Sequence, residues 1–293
     1  MAASKPLKGR IAVVTGASRG GGRGIALSLG EAGATVYVTG RSVRGDTTRP
    51  DLAGATVDDT AEDVTTRGGV GIPVRCDHTR DDEVAALFDR IEREGGVLDL
   101  LVNNVWGGYE DYDEAFTDPF WEQPASRWDG MFSAGVRAHW IASQHAARLM
   151  VSRGSGLIAS TTFWDRGKSL SSLPYDLAKN AVNRLAYEMA LELKSHGVAS
   201  VAVSPGWMRT EAVLAAYGLP IDDSVRELPP ELEQTESILY VGRAVAALAS
   251  DAKVLEKTGR ILTVGDLARE YGFTDVDGSQ PPPYRLLPEH TRD

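Results

Sequence analysis

Short apolar runs rich in β-branched residues alternate along this chain with longer stretches of helical periodicity. The pattern predicts about seven strands, which are the runs at residues 11–14, 35–38, 71–74, 98–102, 157–160, 198–203 and 260–264. Continuous apolar strands separated by helices are typical of a parallel sheet covered on both faces. Right-handed crossovers then give a doubly wound, Rossmann-type α/β sheet. Pro73 indicates that the third strand lies at the sheet edge or that the proline stands at its start.

The predicted helices share a period of about 3.6 residues and lie at residues 25–29, 57–65, 82–94 and 175–194. The chain has no internal repeat and no linker, so we predict a single domain over residues 1–293. Three segments interrupt the alternation: residues 42–69, an aromatic-rich loop at 105–128 and an extended C-terminal tail at 278–293. Long irregular segments in a compact domain are usually functional or disordered, and the many aromatic residues of the second argue against disorder.

Composition and charge exclude several classes of protein. Of the 293 residues, 42% are hydrophobic and 25% charged, which is ordinary for a globular chain. A single cysteine, Cys76, excludes a disulfide framework, and the five histidines have no ligand spacing, so no metal site is expected. The net charge of -10 argues against a nucleic-acid partner. No apolar run is long enough to span a membrane, and the N-terminus lacks a signal core, so the cytoplasm is the expected location.

A glycine-rich stretch joins the first predicted strand to the first predicted helix. Gly16 permits a tight turn, Gly20 lets the backbone approach a pyrophosphate, and Gly22 permits close packing of helix on strand. The helix N-terminus then directs amide donors toward the anion. Because a glycine motif is informative only between a strand and a helix, this context is what predicts a dinucleotide site.

The end of the second predicted strand suggests which dinucleotide is bound. A carboxylate near position 40 would bind the ribose 2′-hydroxyl of NAD(H), but Gly40 has no side chain to do so. Arg41 and Arg19 can instead pair with a 2′-phosphate through their guanidinium groups. The sequence therefore favours NADP(H) over NAD(H).

These features occur together with further motifs in a recognisable order. The motifs are the glycine loop, Asn103-Asn104, Tyr175-Asp176-Leu177-Ala178-Lys179 and Pro205-Gly206 followed by Thr210. In this order they resemble the short-chain dehydrogenase/reductase (SDR) superfamily over nearly the whole chain. The stretches 24–27, 120–129, 266–272 and 275–278 resemble, more narrowly, the group of SDR family member 1 and its bacterial relatives.

The resemblance implies a role for individual residues in binding the cofactor. Asp77 is expected to contact adenine, Asn103 to lie beside the adenosine ribose, and Thr210 to bond the nicotinamide carboxamide. The complete set of expected cofactor-binding residues is Gly16, Ser18, Arg19, Gly20, Gly22, Arg41, Asp77, Asn103, Tyr175, Lys179, Pro205, Gly206 and Thr210. The resemblance also implies a homo-oligomer, dimer or tetramer, paired through the helices at 139–150 and 175–194.

Tyr175 and Lys179 are the expected catalytic pair, since a spacing of four places both side chains on one helix face. A phenol has a pKa of about 10, and a nearby ammonium lowers it toward the range useful for acid–base catalysis. In the family, the lysine also holds the nicotinamide ribose, and a serine stands thirteen residues before the tyrosine. That position is Thr162 here; alternatively Ser160 or Thr161 takes the serine's place through a register change.

A second departure from the family concerns an asparagine associated with a water relay to the lysine, because Gly135 stands at that position. On the substrate side, the resemblance places Trp106, Phe163, Trp164 and Trp207 beside the nicotinamide, with Tyr109 and Met208 nearby and a lid over residues 211–240. Aromatic side chains converging there predict a broad apolar pocket for a hydrophobic ketone or aldehyde.

The leading hypothesis is therefore an NADP(H)-dependent carbonyl reductase. Hydride is transferred to a carbonyl carbon that Thr162 polarises, and Tyr175 delivers the proton. Two alternatives stay open. One is a non-catalytic NADPH-binding sensor or scaffold, which the missing serine and asparagine suggest; the other is reduction of an enoyl double bond.

Overall fold

A seven-stranded parallel sheet is the centre of the computed structural model, which describes residues 5–52, 54–108, 118–169, 172–220 and 228–286. The strands of this sheet are β1 (Ile11–Thr15), β2 (Thr35–Gly40), β3 (Val70–Arg75), β4 (Leu100–Asn103), β5 (Gly156–Thr161), β6 (Val198–Ser204) and β9 (Ile261–Thr263). A separate parallel pair is formed by β7 (Met208–Arg209) and β8 (Glu236–Ser237). The doubly wound α/β fold that the hydrophobic pattern predicts is confirmed, and each predicted run is a strand within two residues of its expected bounds.

The strand order is β3-β2-β1-β4-β5-β6-β9, and every neighbouring pair is parallel. Pro73 lies on β3, which is at the sheet edge, where a missing N–H donor is tolerated. The chain winds outward in one direction from β1 and in the other from β4. Ligands of such sheets bind beyond the carboxyl ends of the strands at this reversal, which places the candidate site.

Nine helices lie among the described residues. They are α1 (Gly20–Glu31), α2 (Val57–Thr66), α3 (Asp81–Glu94), α4 (Ala125–Phe132), α5 (Ala138–Arg153), α6 (Leu173–Leu193), α7 (Glu211–Ala216), α8 (Ile238–Ser250) and α9 (Val264–Tyr271). Side chains of each strand alternate between the two sheet faces. Val14 joins the core formed with α1, α2, α8 and α9, whereas its neighbour Val13 joins the core formed with α3 and α5.

Helix α1 starts at Gly20, five residues before the apolar run that predicted it. Its glycines permit close contacts on two sides. A Cβ built on Gly24 would lie 1.9 Å from the carbonyl oxygen of Ile238, at the start of α8. Only hydrogen fits at this crossing, so α1 and α8 pack backbone to backbone beneath the phosphate loop.

The irregular segments are only partly within the described residues. Residues 109–117 of the aromatic-rich loop, including Tyr109, lie outside them, as do 221–227 of the lid and 287–293 of the tail. The two ends of the lid meet in the β7–β8 pair, where Met208 pairs with Glu236. The described part of the tail packs on the body of the protein: Tyr240 donates a hydrogen bond to the carbonyl oxygen of Pro281 at 3.0 Å. No helix in the described ranges is both long and apolar enough to cross a membrane.

Candidate active site

The phosphate loop follows β1 and has the geometry that its glycines require. Gly16 and Gly20 have φ values of +64° and +58°, which favour glycine. A Cβ built on Gly22 would lie 2.2 Å from the carbonyl oxygen of Gly16. The loop and the first turn of α1 therefore pack without room for side chains, and Ser18 between them is buried. Such a cradle, open at a helix N-terminus, fits the pyrophosphate of a dinucleotide.

Of the two neighbouring asparagines at the end of β4, Asn104 is the one that contacts this loop. Its backbone N–H donates to Thr15 Oγ1 at 2.9 Å, and its Nδ2 donates to the carbonyl oxygen of Gly16 at 3.1 Å. Asn103 is fully buried and donates to Ser143 Oγ at 2.9 Å. In this structure Asn103 links β4 to α5, and its predicted place beside a ribose stays a prediction.

Glu211 joins the start of the lid to the phosphate loop. It is buried, and its Oε2 accepts a hydrogen bond from the N–H of Gly20 at 2.7 Å. The negative charge is favourable there because it faces the N-terminus of α1. Thr210 precedes it, and its hydroxyl accepts the N–H of Val213, which caps α7. The sequence analysis missed Glu211; the signal was a carboxylate directly after the expected nicotinamide-binding threonine.

At the opposite end of the loop, Arg19 and Arg41 flank the carboxyl end of β2. The Arg19 guanidinium lies 3.5 Å from Thr48 Oγ1, so the segment after β2 folds back over it. Asp77 accepts hydrogen bonds from the backbone N–H and the hydroxyl of Thr79, which closes a local turn. Partial burial raises the pKa of Asp77, but the Thr79 donors and the charge of Arg41 outweigh it and lower the pKa overall.

Tyr175 and Lys179 lie in the first two turns of α6, which begins at Leu173 with Pro174 in its first turn. Lys179 Nζ is 5.4 Å from the centroid of the Tyr175 ring. Lys179 is 8% exposed, and this burial lowers its pKa to about 7, because the low-polarity surroundings disfavour the ammonium. The predicted side-by-side arrangement of the pair is present, with a lysine that is easily deprotonated.

Three hydroxyls at the end of β5 were the alternatives for the carbonyl-binding group. Thr162 is buried on the α6 side of the sheet, where its hydroxyl donates to the carbonyl oxygen of Lys179 at 3.1 Å. Thr161 donates to Asn104 Oδ1 at 3.3 Å, beside the phosphate loop, and Ser160 accepts from Asn103. Only Thr162 of the three contacts the helix that carries Tyr175. Because the Thr162 hydroxyl donates its proton to a backbone carbonyl, the hydroxyl must rotate to donate to a substrate oxygen.

Gly135 lies in a single π-helical turn, Ser133–Arg137, between α4 and α5. The Trp106 indole fills the space next to it, since a Cβ built on Gly135 would lie 2.3 Å from Trp106 Cζ3. Trp106 packs edge to face with Tyr175, with ring centroids 5.4 Å apart. Trp106 was expected at the substrate pocket, and the structure places it against the candidate pair Tyr175 and Lys179.

The remaining predicted substrate residues lie at the ends of β5 and β6. Trp207 is 39% exposed, and Trp164 donates its backbone N–H to Ser204 Oγ at 3.0 Å. Phe163 packs against Tyr284 of the tail, with centroids 5.7 Å apart. Met208, in contrast, packs against the backbone of Gly21 on α1. Aromatic residues therefore follow the carboxyl ends of three neighbouring strands, and Tyr284 of the tail joins them through Phe163. The set Trp106, Phe163, Trp207 and Tyr284 is called the aromatic wall below.

Comparison with known proteins identifies the family of this chain. A family model described as enoyl-(acyl carrier protein) reductase matches residues 16–265. Dehydrogenase/reductase SDR family member 1 of Mus musculus is 42% identical over 277 residues, which cover 93% of this chain and 85% of the mouse protein. The chain belongs to the short-chain dehydrogenase/reductase family. The resemblance inferred from the motifs is thereby confirmed.

Solved structures of other SDR proteins share the fold. A 7α-hydroxysteroid dehydrogenase complexed with NADH and 7-oxo glycochenodeoxycholic acid has a TM-score of 0.70 at 25% identity, covering 94% of this chain and 97% of that one. A Beutenbergia cavernae protein named as an NAD(P)-dependent gluconate 5-dehydrogenase, with NADP bound at low occupancy, has a TM-score of 0.70 at 26% identity. The match covers 89% of this chain and 97% of that one. SDR neighbours thus bind nicotinamide cofactors of both kinds.

Two further buried acids of this SDR went unassigned in the sequence analysis. Asp165 accepts a hydrogen bond from the backbone N–H of Leu286 at 2.8 Å and pairs with Arg285 at 3.2 Å, which anchors the tail. Glu236 accepts a hydrogen bond from the N–H of Gly206, and burial raises its pKa to about 8. Neither acid had a local sequence signal, because the residues that each one contacts are distant from it in the sequence. Across the residues described here, no three potential metal ligands cluster together.

Proposed function

We propose that this SDR is an NADP(H)-dependent carbonyl reductase that acts on hydrophobic ketones or aldehydes. The observation that carries the proposal is the position of Tyr175 and Lys179 on one face of α6, where both contact Trp106 of the aromatic wall. When bound, the reduced nicotinamide supplies hydride; the protein supplies orientation and the proton.

In the proposed mechanism, Tyr175 donates its phenolic proton to the carbonyl oxygen of the substrate. The Lys179 ammonium stabilises the resulting phenolate through its positive charge. Thr162 turns its hydroxyl from the Lys179 carbonyl to the substrate oxygen and fixes the orientation of the carbonyl group. Pro205, Gly206 and Thr210 border the nicotinamide end.

The preference for NADP(H) follows from the charges around β2. Gly40 offers no carboxylate to a ribose 2′-hydroxyl, while Arg19 and Arg41 add two positive charges at this end of the site. Gly16, Gly20 and Gly22 leave the backbone open to a pyrophosphate, and Ser18 lies within that turn. Charge-assisted pairing with a 2′-phosphate gives these arginines a partner that NAD(H) lacks.

An apolar substrate is supported by the aromatic composition of the wall. Phe163 and Trp207 offer flat surfaces, and Tyr284 of the tail extends them. The solved relative that holds 7-oxo glycochenodeoxycholic acid shows that one SDR with this fold accommodates a bulky ketone. We therefore expect cyclic ketones and bulky aldehydes to react faster than small polar ones.

The description of the matching family model favours a second candidate, reduction of an enoyl thioester. In SDR enoyl reductases the tyrosine and lysine usually have a different spacing from the four positions that separate Lys179 from Tyr175 here. The carbonyl reductase is therefore the preferred proposal, and an enoyl thioester belongs in the same assay.

The test is NADPH oxidation with a panel of cyclic ketones, bulky aldehydes, quinones and one enoyl thioester. The Tyr175→Phe variant is run beside wild type, and Tyr187→Phe, an exposed tyrosine on the same helix, is the matched control. We expect Tyr175→Phe to lose at least about 10²-fold in kcat while binding NADPH normally, because a general acid contributes about that much.

Each outcome of this assay separates the hypotheses. Equal turnover in Tyr175→Phe and wild type would remove Tyr175 as the acid. NADPH binding without turnover of any panel member would support the sensor hypothesis instead. Turnover of the thioester alone would favour enoyl reduction.

The homo-oligomer also stays a proposal, supported by an exposed apolar stripe. Leu173, Leu177, Tyr187 and Leu191 are exposed along α6, and Trp140 is exposed on α5. These are the helices through which SDR pairing was expected. Sedimentation of wild type and of the double variant Leu177→Glu/Leu191→Glu tests it, and a monomeric wild type would contradict it. The cytoplasmic location stays a prediction.

A further inference from the structure

The Lys179 ammonium lies directly over an aromatic face. Its Nζ is 3.5 Å from the centroid of the Trp106 ring, closer than the 5.4 Å that separates it from the Tyr175 ring. The three groups therefore form one contact set, since the two rings also meet edge to face. A cation on a tryptophan face is attracted by the ring quadrupole, and the attraction is larger where water is excluded.

The position of the indole depends on two glycines. A Cβ built on Gly135 would lie 2.3 Å and 2.4 Å from two carbons of the Trp106 ring, and one on Gly108 would lie 2.6 Å from a third. Real side-chain contacts are never this short, so any larger residue at 135 must displace the indole. Gly135 lies inside a helical segment, where alanine is ordinarily preferred by about fivefold per residue.

The backbone that carries Trp106 is held from the other side by His139. Its Nε2–H donates to the carbonyl oxygen of Val105 at 3.1 Å. Burial lowers the pKa of His139 to about 3, so the imidazole stays neutral and places no second positive charge near Lys179. Of the titratable groups near the ammonium, Tyr175 has its ring 5.4 Å from Nζ, and His139 and Lys179 disfavour each other's positive charge.

We propose that Trp106 is a positioning residue of the reaction, which holds the Lys179 ammonium beside Tyr175 by a cation–π contact that Gly135 makes possible. The catalytic effect of this contact rests on the proposed function. The contact itself, in which the indole stabilises the charged form of Lys179, is a property of the protein without any substrate.

The first experiment uses the unliganded protein. A lysine whose pKa is lower in the folded state makes stability increase with pH, here between about 7 and the unfolded value of about 10.4. Without the indole face, the charged lysine is less stable, so in Trp106→Leu this increase begins at lower pH, by about one pH unit. Lys179→Met removes the increase, which verifies its origin. Trp128→Leu, an exposed tryptophan, is the control and leaves the increase unchanged.

The second experiment measures the reaction. Reduction requires charged Lys179, so the alkaline limb of kcat/KM moves to lower pH in Trp106→Leu and less far in Trp106→Phe, which keeps a smaller aromatic face. A packing role alone predicts equal losses in both variants with unmoved limbs. That result, or an unchanged stability profile in the first experiment, would overturn the proposal. Shifted stability profiles in a protein without activity would uphold the contact and reject only the proposed function.

Variants of Gly135, alone and combined with Trp106→Leu, test the contact between these two residues. Gly135→Ala should lower the melting temperature and shift the pH profile as Trp106→Leu does, because the new methyl displaces the indole. Adding Trp106→Leu to Gly135→Ala should recover melting temperature by giving the methyl room. The control is Gly95→Ala at the end of α3, where the nearest atom to a Cβ is a side-chain carbon of Ile11 at 3.7 Å. Additive effects of the two changes would show that Gly135 and Trp106 are independent and would contradict the inference.

Discussion

The two ends of this active site are built in different ways. The cofactor end is made largely of backbone from one continuous stretch, Gly16–Gly24, braced by Asn104. The substrate end is made of side chains from separate segments: Trp106, Phe163 and Trp207 from three strand ends and Tyr284 from the tail. A backbone site tolerates no added atom, whereas a wall of side chains can be altered one residue at a time.

The contrast extends to charge. The cofactor end has Arg19 and Arg41 at one extreme and the Glu211 carboxylate at the N-terminus of α1. At the substrate end the ionisable side chains Lys179, Asp165 and Glu236 are buried, and burial raises the pKa of Glu236 to about 8. Changes at the first end should therefore alter cofactor affinity, and changes at the second should alter substrate selectivity and the response to pH.

The largest effect is expected from Gly22→Ala. Its methyl would overlap the Gly16 carbonyl oxygen at 2.2 Å, so the loop must open and NADPH affinity should fall more than about 10²-fold. Fluorescence titration with NADPH measures the loss, and circular dichroism verifies folding. Gly95→Ala serves as the control, because the nearest atom to a Cβ built there is Ile11 Cδ1, at 3.7 Å. Normal binding by Gly22→Ala would mean that this end is not built from backbone as described.

The next effect concerns the arginines. Arg41→Ala should weaken NADPH binding by about 10- to 100-fold and leave NADH binding nearly unchanged, since a charge-assisted hydrogen bond contributes about 1.5–3 kcal/mol. Arg44→Ala is the control, because that arginine is paired with Asp59 and Glu62. Equal losses for both cofactors would reject recognition of the 2′-phosphate.

A smaller and more selective effect is expected at the substrate end from Asp165→Asn. The change removes the charge that holds Arg285 and weakens the bond to the Leu286 backbone. KM for bulky ketones should change several-fold, with cofactor affinity unaltered, because the tail forms part of the substrate wall. Steady-state kinetics on two substrates of different size test this. A loss that is uniform across substrates and accompanies weaker cofactor binding would contradict the separation of the two ends.

The smallest effect is a pH dependence of stability from Glu236. Burial raises its folded pKa to about 8, so the folded state holds a proton that the unfolded chain releases above about pH 4.3. Stability should therefore decrease as pH rises from about 5 to 8. Glu236→Gln should remove this decrease, which urea unfolding at pH 5, 7 and 8.5 measures. Parallel profiles for the two proteins would show that Glu236 ionises normally.

The hydrophobic pattern determined the fold class and the seven strands, because strand and helix periods are local properties of the chain. Pro73 left two positions open for the third strand, and the structure places that strand at the sheet edge. The glycine loop and the Tyr175–Lys179 pair were predictable for the same reason: each lies within one short segment. The start of α1 was not predictable, since glycines carry no hydrophobic period. Their presence in the helix is explained by the close backbone contacts with Ile238 and Gly16, which leave no room for a side chain.

Tertiary structure alone decided which side chains meet. Glu211 reaches Gly20 across 191 residues, and Asp165 reaches Leu286 across 121. The same is true of Gly135, which sequence comparison marks only as a missing asparagine and which the structure shows to be the space for Trp106. Such contacts depend on where strand ends converge, and this is set by the packing of the whole sheet. The sequence therefore determined the class of chemistry, and the packing determined the surroundings in which Lys179 is held.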